Sequence, residues 1–555
     1  MSVLRRAALM LAAIGFTASC SLGVHPLGPR PALPQARTGG TLTVGITAPG
    51  SLDPSNAFEP IGRLVLSAVC DSLFTFDPVT GNLEPSIAGA AVVSQGGTSF
   101  TIQIRKGIRY ADGEGLSSRD VVAELNRVAS ATNASFEAPL LASIGGYPYV
   151  HGDRQTNNAT ARRQMSGLGV QTGRSVTVHL GNNDADFLRT LASLVGAPVP
   201  RRLADAAAPV LGTAPVCVGP YQFAVPYAHG TTEITLTRSA HYYGGNNVFT
   251  AGGRGYPDTI VFRIYPTEAA EVVAFRAGLL DVAQVPTDLL PTVASNSDLV
   301  SAPNGSIAYL GLPSGAPISP AEAAARVALS AAVDRTALND KVFDGGDLPA
   351  TGFIAPTVGD AEFRPNACGS ATPASPVSSA AAAIALPTKL YTNSDFANPA
   401  EASELVRQLD AQLHVHLSVV TLGWDSYLPA GLGPPGFAGA FLESWNAPVD
   451  SADSYLYPLF DSSGVGSDNW SYFSNPYFDS MLEQTARHED GSVQSLALSY
   501  FTLERQLCQN MPMIPLLFRQ NHFLIRKDLV GSALGTYLDR ATGQPLLREL
   551  YLKNG

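Results

Sequence analysis

The stretch at residues 99–128, SFTIQIRKGIRYADGEGLSSRDVVAELNRV, changes hydrophobic period in its middle, and this constrains the fold more than any other feature. Phe100, Ile102 and Ile104 alternate with Thr101, Gln103 and Arg105, which is the pattern of a half-buried strand. Gly107, Asp112, Gly113 and Gly115 then supply the turn. Ser117, with Asp120 three residues on, reads as a capping box opening a helix whose Val121, Val122, Leu125 and Val128 share one face. A chain of 555 residues is too long for one core, so two or three lobes are expected.

Three further pieces extend that reading. Thr41 to Ile46 is an apolar strand broken by Pro49, Gly50, Asp53 and Pro54, with residues 61–76 after it patterned as a helix through Leu64, Leu66, Val69 and Leu73. Residues 260–264, 268–277 and 319–342 read as strand, helix and helix. Residues 389–392, 399–413 and 414–420 read as a βαβ unit. Residues 368–388 are rich in Ala, Ser and Pro and read as a surface loop.

The opening motif resembles a signature of the extracellular solute-binding proteins of family 5, the peptide and nickel binders of ABC importers. Further pieces follow in that family's order: Gly219-Pro220-Tyr221, His241-Tyr242-Tyr243-Gly244-Gly245, Gly278 with Asp281, Arg326-Val327-Ala328-Leu329, Ala332-Val333-Asp334-Arg335 and Met511-Pro512-Met513-Ile514-Pro515. The resemblance implies a two-lobed periplasmic-binding-protein fold of class II, α/β, with an extra small subdomain in the first lobe. It divides the chain into lobe I (39–85, 213–290 and 510–555), the subdomain (86–212) and lobe II (291–509).

The N-terminus reads as an address. Arg5 and Arg6 precede an apolar run, residues 7–16, too short for the roughly 20 residues of a spanning helix. The run ends in Thr17-Ala18-Ser19-Cys20, which resembles the bacterial lipobox with Thr in place of the usual Leu. Residues 1–20 are therefore expected to be a lipoprotein signal peptide, Cys20 the lipidated residue, and the Pro-rich segment 21–38 a tether to the outer face of the cell membrane. Removing the signal takes two arginines and no acid, so the net charge of −11 becomes −13. Such a surface repels phosphate backbones, which argues against a nucleic-acid partner. The four other cysteines, Cys70, Cys217, Cys368 and Cys508, allow three disulfide pairings in an exported protein. The lobe assignment implied by the resemblance favours Cys70 with Cys217 and Cys368 with Cys508.

Candidate ligand contacts come from two places. Ser51, Asn56 and Phe58 lie in the loop after the first strand, which in the family leads to the cleft. Trp424, Trp445 and Trp470, the only tryptophans, fall within 47 residues of one another, and flat amphipathic rings suit a pocket wall. Asn446 and Asn469 adjoin two of them. The segment FLESWNAPVDSADSYLYPLF, residues 441–460, resembles the family's "W.ADY.DP", whose Asp pairs with a peptide's α-ammonium. Aligning Trp445 with that Trp puts Pro448 in the place of the Asp. Either Asp450 or Asp453 has taken the role, or a free N-terminus is not anchored. There is no nucleophile elbow, P-loop or dinucleotide fingerprint, so no enzyme activity, cofactor or metal is expected. His414 and His416 would share a strand face without a carboxylate or Cys beside them. The expectation is a monomeric peptide receptor working with an ABC permease and its ATPase subunits. The rival is a non-transport envelope lipoprotein on the same fold with a regulatory or scaffolding role in cell-wall assembly, or a binder of a non-peptide ligand.

Overall fold

The computed structural model describes residues 39–552 except 95, 173, 245–254, 294, 297, 315–316, 360–361, 370–387, 395–398, 433–435, 487–492 and 531–535. The signal segment, Cys20, the tether and most of the Ala/Ser/Pro-rich stretch therefore lie outside the described residues.

Two strands of thirteen residues, Leu299–Gly311 and Met513–Ile525, run antiparallel through the middle of a mixed sheet. On one side of the pair the sheet continues through Ala440–Asn446, Lys389–Asn393 and Ser418–Leu422. On the other side follow Val282–Gln284, Thr41–Ile46, Thr259–Ile264, Glu233–Arg238 and Tyr221–Phe223. The sequence of Met513–Ile525, MIPLLFRQNHFLI, explains how one strand serves both sides. Its first six residues are buried, Arg519, Gln520 and Asn521 are half-buried, and the last four are buried again. Leu516, Leu517 and Phe518 enter one hydrophobic core, while Phe523 and Ile525 enter another. The pairing register breaks at the same level, between Pro303 and Ile307 of the partner strand, where Gly305 has φ +81°. The two lobes are thus joined by strands whose middle belongs to neither core.

A third core forms on a four-stranded sheet of Ala88–Ser94, Ser99–Ile104, Ser175–His179 and Leu168–Thr172. Helix Ser118–Ala129 supplies Val121, Leu125 and Val128 to it. At the helix start the Ser117 backbone N–H donates to Asp120 Oδ2 at 2.7 Å, the half of a capping box made by the third residue, and the Ser117 hydroxyl donates to the same oxygen at 2.6 Å. Disulfides join Cys70 to Cys217 and Cys368 to Cys508, the pairing favoured above.

Several expected elements are shorter or broken. The helix read over 61–76 is Pro60–Val69. Cys70 leaves helical backbone at φ −121°, ψ 111°, where its disulfide and the Asp71 N–H to Val218 carbonyl bond (2.6 Å) draw the chain onto the first lobe. The helix read over 319–342 is two helices, Pro320–Ala332 and Arg335–Val342, because the Asp334 side chain caps the second by accepting from Ala337 N–H at 2.9 Å. The βαβ unit is Lys389–Asn393, Pro399–Leu413 and Ser418–Leu422, its strands parallel. His414 and His416 precede that second strand rather than sharing a face of it, His414 with φ +55° at the helix exit.

The Gly-Pro-Tyr motif shows why Gly is required there: a Cβ on Gly219 would stand 1.9 Å from the Val69 carbonyl oxygen, a backbone atom that cannot swing aside. Gly219→Ala is expected to lower unfolding free energy by more than about 3 kcal/mol. Gly305→Ala, with no atom closer than 3.6 Å to the new methyl, should cost only the left-handed backbone, about 1 kcal/mol. Chemical denaturation of both variants measures the difference.

Candidate functional site

Strand Ala440–Asn446 leaves the second core as it approaches the register break: Leu442 is buried, Glu443 and Trp445 are half-buried, and Ser444 and Asn446 are exposed. The Trp445 indole N–H donates to the Ser454 carbonyl at 2.9 Å, fixing helix Asp453–Phe460 against this strand. Tyr455 of the same helix donates its hydroxyl to the Gly305 carbonyl at 2.6 Å, so the helix also grips the joint between the lobes. Ser306 Oγ donates to Asn446 Oδ1 at 3.3 Å across the register pair. Pro448 follows, exposed, in the turn before the helix.

The tryptophans divide. Trp445 is half-buried at the strand end, and Trp424 is half-buried at the start of helix Trp424–Leu432, stacked on Tyr427 with centroids 6.3 Å apart. Trp470 is only 8% exposed, inside a ring cluster with Tyr427, Phe437 and Phe441, and its N–H is used by the Ser467 carbonyl. Asn469 is buried with its amide spent on the Asp461 and Phe473 carbonyls, at 3.1 and 2.8 Å. The structure thus places Trp470 and Asn469 in the second core, away from the strand end that carries Trp445. Proximity in sequence carried no information about which rings face inward.

The loop after the first strand is held by charge. Arg127 makes two hydrogen bonds to Asp53, at 2.7 and 2.8 Å, and two more to Glu124 of its own helix, at 2.7 and 2.8 Å. Burial alone would raise the Asp53 pKa, but the Arg127 hydrogen bond and charge, with donors from Ser55, outweigh it and bring the carboxyl below its ordinary value. Ser51 Oγ accepts the Asp53 N–H at 3.2 Å, and Asn56 reaches the Asn133 carbonyl at 3.5 Å, so both side chains are engaged in shaping the loop. Phe58 points outward, 49% exposed, its ring 4.5 Å from that of Phe136, itself 74% exposed. Sequence reasoning missed Phe136 because it stands alone in a polar insertion.

It also missed a group of carboxyls where the small subdomain meets the second lobe. Ser451 and Ser454 donate to Asp186 Oδ2 at 2.5 and 2.8 Å. Arg189 pairs with Glu362, whose other oxygen accepts the Ala452 N–H at 2.9 Å. Asp450 and Asp453 stand beside them, with both Asp450 oxygens and Asp453 Oδ1 shut off from solvent and Thr357 facing the Asp450 carboxyl. Burial pushes the Asp450 carboxyl up to about 8 against the pull of Thr357 and Arg189. Burial, then the charges of Asp186, Asp184 and Glu362, push Asp453 upward too. Among the described residues no three His, Cys, Asp or Glu side chains converge to hold a metal ion, and no helix is long and apolar enough to cross a membrane.

Stability separates wall from core. Trp470→Ala should cost about 3–5 kcal/mol, whereas Phe58→Ala should stay within about 0.5 kcal/mol, both read from denaturant midpoints. A large loss at Phe58 would contradict its outward placement.

The sequence profile of the bacterial extracellular solute-binding proteins, family 5 (middle region), matches residues 82–467. The heme-binding protein A of Haemophilus influenzae is 23% identical over 451 residues, 75% of this chain and 76% of that protein. The glutathione-binding protein GsiB of Escherichia coli strain K12 is 22% identical over 494 residues, 87% of this chain and 89% of its own length. Among solved structures, the unliganded open form of the periplasmic murein tripeptide-binding protein MppA superposes with a TM-score of 0.76 at 18% identity, covering 94% of this chain and 99% of that one. The clavulanic acid biosynthesis oligopeptide-binding protein 2 gives 0.75 at 20% identity, covering 94% and 96%. These superpositions establish the two-lobed α/β fold.

Proposed function

The chain belongs to the bacterial extracellular solute-binding proteins of family 5, and from that premise we propose that it captures a peptide-like ligand between its lobes and hands it to an ABC permease driven by ATPase subunits. The matched relatives are named as binding proteins, for heme, glutathione and a murein tripeptide. On this reading residues 39–85, 213–290 and 510–555 form one jaw and 291–509 the other. Closure bends the strand pair at its register break, and ligand contacts made by both jaws favour the closed form.

The observation that carries the reading is the ending of Ala440–Asn446 at that break, which sets Trp445 and exposed Asn446 beside the joint. Phe58 would supply the facing apolar surface from the first jaw, and Trp424 a further ring. Pro448 has no charge to offer an ammonium group, and both Asp450 oxygens and Asp453 Oδ1 are shut away. The ligand would then be held by main-chain pairing along an extended segment, with side-chain pockets tolerant of sequence. Free and N-acetylated forms of one peptide should bind with affinities within about threefold, far less than the loss of a buried ion pair would cause. Calorimetry on the two forms measures this.

The intact chain should carry short peptides from its host: native mass spectrometry, then denaturation and identification of what is released, should find a ladder of them. An empty protein that also ignores a peptide library would move the reading to a non-transport lipoprotein or a non-peptide ligand. For the membrane, Cys20 is the proposed lipid attachment site. Cys20→Ser should abolish incorporation of a labelled fatty acid and free the protein from the membrane fraction.

A further inference from the structure

The carboxyls between the small subdomain and the second lobe have no part in the ligand reading, yet they are the polar seam of that junction. From the subdomain come Asp184, Asp186 and Arg189. From the second lobe come Thr357 and Glu362, the turn and helix bearing Asp450, Ser451, Asp453, Ser454 and Tyr455, and Tyr500 of helix Val493–Asn510. Asp539 approaches Asp450 from the C-terminal segment, with Arg548 acting on Asp539 and Arg540 donating to the Pro356 and Val358 carbonyls.

Arg189 is thus the cation that faces Asp186, Glu362, Asp450 and Asp453, and it pairs with Glu362. Asp186 takes both serine hydroxyls on one oxygen, while its other oxygen and one of Asp453 receive none and the buried Asp450 oxygens face Thr357. Ionised carboxylates crowded in this way with one guanidinium repel one another in a medium that screens poorly. Relief has two routes: carboxyls take up protons, or the two sides part and the groups reach water.

We propose that this junction is a proton-linked latch, in which the subdomain and second lobe stay joined while Asp186, Asp450 and Asp453 share protons and come apart as those protons are lost. It goes beyond the transport reading and does not depend on what the cleft binds. The direction of the linkage is fixed by burial. In the joined state burial raises Asp184 to about 6 and Asp450 to about 8, and it raises Asp186 and Asp453 as well. Once apart, the groups return toward ordinary carboxyl values near 4. The joined state therefore binds more protons, is fully favoured below about 4, and weakens as pH rises through about 6 to 8.

Hydrogen exchange on the intact, ligand-free chain tests this, read by peptide at pH 6 and pH 9 and corrected for the intrinsic rate. Protection across residues 449–456, where the Ala452 N–H is held by Glu362, should fall at least about tenfold at pH 9, the change one linked proton gives over one pH unit. Strand Met513–Ile525 should keep its protection. In Asp450→Asn/Asp453→Asn the fall should shrink markedly, with Asp184 and Asp186 left to titrate. Equal protection at both pH values in the natural chain, or an undiminished fall in the double variant, overturns the proposal. Should the double variant not fold, Asp450→Asn alone, which keeps the size of the side chain, must reduce the response, and an unchanged response counts against the latch.

Discussion

The two lobes share one strand pair that belongs to two cores at once. Leu516, Leu517 and Phe518 are fixed in the second core, Phe523 and Ile525 in the first. Between them Arg519 pairs with Asp347 and Glu401 at 2.7 and 2.9 Å, its guanidinium 4.3 Å from the Phe343 ring, and Gln520 holds the Gly346 carbonyl at 2.8 Å. Asn521 turns the other way, to the Thr542 and Gly543 carbonyls at 3.3 and 3.4 Å. The polar joint is therefore divided between its neighbours at a single peptide link. On the proposed closure, bending there would disturb neither apolar half, so the cost of motion would be kept out of the cores.

Buried charge does similar work in the loops. The Asp53–Arg127–Glu124 group ties the loop after the first strand to the subdomain helix. Asp71, next to the Cys70–Cys217 bond, receives Arg548 and the Tyr242 hydroxyl, each at 2.7 Å, and so anchors the C-terminal segment. Desolvation offsets much of the attraction in such pairs. Their contribution is a fixed loop shape more than net stability. The carboxyl junction of Asp186, Asp450 and Asp453 differs, because it gathers acids without enough cations to hold them ionised.

The sequence was legible where local pattern and global fold agree. The strand, turn and capped helix of residues 99–128 stand as read, and the order of the family motifs anticipated the two-lobed α/β architecture. Boundaries failed where a distant contact overrode local preference, as at Cys70, or where a side chain capped a new helix inside an apolar run, as at Asp334. The site was less legible. Trp445 and Trp470 look alike in sequence and differ only in which side of strand and helix they meet. Phe136 and the grouping of Asp186, Arg189, Glu362, Asp450 and Asp453 could not be read, since they unite lone residues from loops up to 267 positions apart.

The central claim is that the two lobes close on a bound peptide by bending at the register break. Small-angle X-ray scattering of the intact chain, before and after saturation with a peptide recovered from it, tests that claim most directly. The account predicts a smaller radius of gyration in the bound state, and the same contraction absent when no peptide binds. Binding that leaves the scattering curve unchanged would contradict it.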